Sequence, residues 1–123
     1  MKNIQLLQMY FYFFGALNIL TSFSVPLLIG NHVFWTPRNL PTELMVGSLY
    51  FSLGVIMILV AKTAENHKAL VDFLILGNIL HSIIMIFYAQ TAVHILLDAS
   101  FIGLMGEIPL ILYPWGLKYF LRY

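Results

Sequence analysis

The residues able to do chemistry are few, and several stand where charge is expensive. The stretch from Leu70 to Ile108, LVDFLILGNILHSIIMIFYAQTAVHILLDASFIGLMGEI, holds two of the four histidines and three of the five acids. His81 and Glu107 fall inside apolar runs of membrane-spanning length. An ionisable group at membrane depth marks a pathway, a binding site or an interhelical tie. Helical rise places His81 about 16 Å along a third helix from its inner end, and Glu107 about 18 Å along a fourth from its outer end. The two depths coincide in a ~30 Å hydrocarbon core. The expectation is that His81 and Glu107 face each other, directly or through a water, with Asn18 or Asn78 close by. Two roles fit: a structural tie worth about 1 kcal/mol, or a proton relay or polar anchor for a ligand.

A second group gathers at the outer boundary: Glu43, His94 and Asp98, with His32 in the adjoining loop. Imidazole and carboxylate could hold a divalent ion or exchange a proton near neutral pH. The competing reading makes Asp98 and Glu43 helix N-terminal residues and His94 a hydrogen-bonded turn residue, so metal binding stays open. Haem fits poorly, because His81 and His94 are separated by about 220° of helical rotation and the other histidines lie in loops. No cofactor is expected. There is no HExxH, no phosphate-cradling glycine loop and no Ser-His-Asp arrangement with supporting glycines. Nothing positive argues for an enzyme, and no catalytic residue is assigned.

The elements that must position these groups follow from composition. The chain has 123 residues, 61% hydrophobic and 9% charged, against roughly 25% charged in soluble domains. It lacks the polar surface of a soluble globule, so the bilayer acts as its solvent. A net charge of +1 without a basic cluster gives no reason to expect a nucleic-acid partner. Cysteine is absent, which excludes disulfides, thiol chemistry and cysteine-ligated metal. One integral membrane domain, 1–123, is expected.

Ionisable side chains divide the apolar sequence into four spans, 4–29, 44–61, 70–90 and 95–117. The first run is too long and too aromatic for a signal peptide and ends in a poor cleavage site, SFSVP, so a retained helix is expected. GNHVFWTPRNLPTE (30–43) reads as the longest loop, with Gly30, Pro37 and Pro41 as helix breakers and Trp35 as an interfacial anchor. KTAENHK (62–68) is a polar turn, Asp72 is expected in the first turn of the third helix, and TAVH (91–94) is a brief turn. Pro109 removes the hydrogen bond to Met105 and predicts a local kink beside Glu107.

Lys2, Lys62, Lys68, Lys118 and Arg122 fall on one side of a four-span chain and Arg38 on the other. Both termini are therefore expected to be cytoplasmic. Small and polar residues form one stripe per helix: Gly15, Asn18 and Ser22; Gly47, Tyr50, Gly54 and Ala61; Asn78, His81, Ser82 and Met85; Ser100, Gly103, Glu107 and Pro114. Such stripes gather where membrane helices pack. The fold class predicted is all-α, a four-transmembrane-helix bundle with short loops.

The pattern Glu43-x6-Tyr50-x3-Gly54, the polar KTAENHK, His81, and His94-x3-Asp98 resembles an uncharacterised family of small four-helix bacterial membrane proteins, catalogued as a domain of unknown function. The resemblance covers roughly residues 43–98. It implies the four-span fold and a bacterial inner-membrane location, places Glu43, Tyr50, His81, His94 and Asp98 together as candidates, and carries no activity. Short loops and the aromatic first helix predict an accessory or scaffold subunit of a larger membrane assembly, in contact with lipid and with other subunits. The alternative is a membrane-embedded module, as a homo-oligomer, that binds or transports a small molecule, proton or metal.

Overall fold

The structure is a computed structural model and describes residues 2–101, apart from the side chains of Lys2, Asn3, Asp98 and Phe101. The described residues form helices and no strand. They run α1 (Lys2–Ser24), a π-helical turn (Val25–Ile29), α2 (Gly30–Val33), α3 (Leu40–Val60), a 3₁₀ segment (Ala61–Asn66), α4 (Lys68–Phe87) and α5 (Ala92–Phe101). Three stretches, Ile4–Val33, Leu40–Asn66 and Lys68–Phe87, are long and apolar enough to cross a membrane. The expected fourth span lies on α5 and beyond it, mostly outside the described residues.

Several helix ends differ from those expected. The first helix does not stop at Gly30, which keeps right-handed helical angles (φ −57°, ψ −31°). Helical structure continues to Val33 and ends where Phe34 becomes extended, its N–H donating to the Gly30 carbonyl at 2.9 Å. α3 begins at Leu40, four residues before the expected Leu44. Asn39 supplies the reason: its side chain accepts from the Thr42 N–H at 3.2 Å. Pro41 then sits in the first turn, where the missing N–H costs nothing. The 62–68 turn is largely 3₁₀, kinked at Thr63 (φ −125°, ψ 30°). α4 begins at Lys68, so Asp72 falls past the first turn, and α5 begins at Ala92, so His94 is helical.

The chain divides into two compact units, Met9–Lys62 and Met1–Gln8 with Thr63–Tyr123. In the first, α1 and α3 pack with their backbones almost touching. A Cβ at Gly54 would lie 2.6 Å from the Gly15 carbonyl oxygen, and one at Gly15 would lie 2.9 Å from the Gly54 carbonyl oxygen. A Cβ at Gly47 would run into the Ser22 carbonyl. Gly15 to Ser22 and Gly47 to Gly54 are both seven-residue steps, so the crossings recur two helical turns apart along an antiparallel pair. Phe23 and Phe51 stack near the second crossing, with centroids 5.6 Å apart. In the second unit, α4 packs on α5. The buried side of α4 is Val71, Leu74, Ile75, Asn78 and Ser82, a helical stripe in which neighbours recur three and four residues apart.

A methyl group at Gly54 has no room, whereas one at Gly77 would meet, among the described residues, only the Phe73 ring at 3.9 Å. Gly54→Ala is expected to destabilise by about 1–3 kcal/mol, and Gly77→Ala to be neutral or stabilising. Unfolding in mixed micelles with rising SDS measures both.

Candidate functional site

Arg38, which the sequence reading assigns no partner, makes several polar contacts at once. Arg38, in the α2–α3 loop, holds Glu43 in the first turn of α3 with both arms of its guanidinium. Nε donates to Oε1 at 3.1 Å and Nη2 to Oε2. Nη1 donates to Asn31 Oδ1 at 2.8 Å, and Nη2 also donates to the Pro26 carbonyl at 2.9 Å. The Phe34 ring lies beneath, 5.8 Å from centroid to guanidinium carbon. The carboxylate hydrogen bond, with the opposing charge behind it, holds the guanidinium above its ordinary value, against a smaller opposite effect of burial. A planar fork is required here; a lysine ammonium is a point charge.

The backbone explains the convergence. Pro26 lacks an N–H and cannot serve the carbonyl four residues back, and the helix widens into the π-turn Val25–Ile29. The i→i+5 pattern of that turn shifts each partner by one residue, and the Pro26 carbonyl takes Arg38 as its donor. Gly30 is needed as well, because a Cβ there would run into the guanidinium. The sequence clue was the spacing of Arg38 and Glu43 around the Asn39 cap. Grouping Glu43 with His94 and Asp98 by charge type alone hides that spacing.

Glu43 and half-buried Tyr50 belong to the Met9–Lys62 unit, and His94 and Asp98 to the other. His32 is exposed at the end of α2. His94 is buried, 3% exposed, in the first turn of α5. Thr91 Oγ1 accepts its N–H at 3.3 Å, and its Nδ1 accepts the Gln90 N–H at 3.2 Å. Thr91 thus caps α5, and the His94 imidazole, at the position usually held by Glu or Gln in a capping box, reaches instead to the N–H one residue before the cap. The Nδ1 position of the ring is thereby taken by a backbone N–H. Among the described side chains, no three His, Asp or Glu gather as a metal site.

The midplane residues are placed as follows. Asn18 is buried in the first unit, donating to Met57 Sδ at 3.8 Å, and its carbonyl accepts the Ser22 hydroxyl. Asn78 is buried in the second, donating to the Leu74 carbonyl at 2.7 Å. One turn further on, Ser82 is fully buried, and its hydroxyl has no hydrogen-bond partner among the described residues. His81 beside it is half-buried. Glu107 and Pro109 lie outside the described residues.

Comparison with protein-family models, curated proteins and solved structures finds no match. The functional reading therefore rests on this geometry.

Arg38→Lys keeps the charge and loses the fork. It is expected to lower the melting temperature in detergent, as is Glu43→Gln, and the double variant to be no less stable than the worse single one, because both remove the same interaction. Elemental analysis of purified protein is expected to return no stoichiometric divalent metal, with or without Asp98→Asn.

Proposed function

We propose that this chain is a four-span integral protein of a bacterial inner membrane, with both termini cytoplasmic, serving as an accessory or scaffold subunit of a larger membrane assembly. Its partners are lipid and other membrane subunits, with no nucleic acid. The observation that carries this reading is how its polar groups are spent. Asn18, Asn78, Glu43 and His94 all bond within their own unit. The outward faces carry large apolar side chains, Phe13 at 64%, Leu20 at 70%, Leu49 at 71% and Leu59 at 76% exposed. A surface of that kind suits lipid and neighbouring transmembrane helices, and the Lys/Arg distribution supports the topology.

The second reading, a membrane-embedded binding or transport module, draws on the unpartnered hydroxyl of Ser82 beside Asn78 and His81. Buried polar groups are seldom left unpaired, and a polar ligand would supply what that hydroxyl lacks.

Purification in mild detergent followed by native mass spectrometry separates the two. The same unrelated membrane subunits are expected in every preparation; a self-oligomer carrying a bound small molecule would overturn the subunit reading. Topology is tested independently, since the chain has no cysteine of its own. Single cysteines at Lys2, Asn39, Asn66 and Arg122 are treated with an impermeant thiol reagent in intact cells. Labelling is expected at position 39 alone, and labelling at 66 but not 39 would invert the model.

A further inference from the structure

Ser82 departs from the way other hydroxyls on these helices are satisfied. Those of Thr21, Ser22, Ser24, Ser48, Ser52 and Ser100 donate to backbone carbonyls three or four residues back. The Ser82 hydroxyl makes no such bond, although Asn78 stands four residues before it on the same helix. Burial is not the difference. Ser22 is buried too, and its hydroxyl donates to the Asn18 carbonyl. Ser82 is covered completely, at 0% exposure, and keeps one O–H donor and two lone pairs. Buried hydroxyls are seldom left unbonded.

The surroundings limit what can meet that need. The buried side of α4 is apolar at Val71, Leu74 and Ile75, and polar at Asn78 and Ser82. Asn78 is 4% exposed, and its amide nitrogen donates to the Leu74 carbonyl at 2.7 Å. It still has acceptors to offer, the second lone pair of its backbone carbonyl and its side-chain oxygen. A larger polar ligand would need more polar groups than this face of α4 supplies. From this arrangement we propose that Ser82 holds a single buried water. The water accepts the hydroxyl proton and donates to an Asn78 acceptor one turn back, bridging the step that the other serines make directly. Buried waters of this kind satisfy protein groups that have no other partner, and a helix admits one beside its own hydrogen-bond ladder. The proposal concerns the hydroxyl on which the binding-module reading draws, and it narrows the occupant to water.

The test reads water contact at Ser82 in the full chain reconstituted in lipid bilayers. Labelling with 13C-serine and 15N-isoleucine isolates Ser82 in the wild type, since it is the chain's single serine followed by isoleucine. The assignment needs no substitution there, so this measurement stands whether or not Ser82→Ala folds. Magnetisation is transferred from water protons to the serine Cβ in solid-state NMR. Ser22, assigned by the loss of its signal in Ser22→Ala, is the control, buried but bonded to a carbonyl. Transfer to Ser82 is expected to be several-fold stronger than to Ser22; equal or weaker transfer would overturn the water. Native mass spectrometry of the same protein separates this outcome from the binding-module reading. A small molecule retained by the wild type and lost in Ser82→Ala would overturn the water and support that reading. Weak transfer with no retained molecule would overturn both.

Discussion

The Met9–Lys62 unit depends on two backbones coming close enough to touch at Gly15 and Gly54. In a bilayer, lipid tails are as apolar as leucine, so no hydrophobic drive presses two helices together. Attraction must come from dispersion and weak polar contacts at short range. Each glycine presents a Cα–H toward the other's carbonyl, since that is where its missing Cβ would point. Such Cα–H···O contacts are worth about 0.5–1 kcal/mol each, and they bring the flanking side chains into contact as well. The repeat at Ser22 and Gly47, two turns on, holds the helices in register over a length that one crossing could not control.

That register has consequences at the loop end. Pro26 leaves the Ser22 carbonyl without its ordinary helical donor, and this is the carbonyl that faces Gly47. The same proline sits in the π-turn that gives up its own carbonyl to Arg38. One residue without an N–H thus supplies an acceptor to the helix contact and another to the loop. Arg38 joins this acceptor to Asn31 and Glu43, tying the end of the first helical stretch to the beginning of α3. A cation beside exposed helix carbonyls and a carboxylate in a first turn both suit the helix dipoles.

The same constraint governs the polar side chains. A polar group facing lipid has no water to bond, and the outward-lying hydroxyls of Thr21, Ser24, Ser48, Ser52 and Ser100 all return to backbone carbonyls three or four residues back. Local bonding of this kind leaves little spare capacity for a ligand. It makes the unpaired hydroxyl of buried Ser82 stand out among the described residues, while His94, despite its type, is held by local hydrogen bonds at the start of α5.

Much of the architecture was legible from charge placement alone. No formal charge stands between Lys2 and Arg38, and the runs that follow are long enough to span a membrane; hydropathy is a property of each residue, so it survives without tertiary knowledge. The small-residue stripes of the first two spans were readable for the same reason, since Gly15, Ser22, Gly47 and Gly54 fall at helical spacing whatever they pack against. Helix ends were less so, because Asn39 and Thr91 act through single hydrogen bonds that composition does not reveal. Partner choice was least legible. Glu43 binds Arg38, and His94 accepts a backbone N–H, because folding brings those atoms within 3 Å or so of each other. The chemistry left to each side chain then depends on which of its atoms is already taken, and the tertiary structure alone decides that.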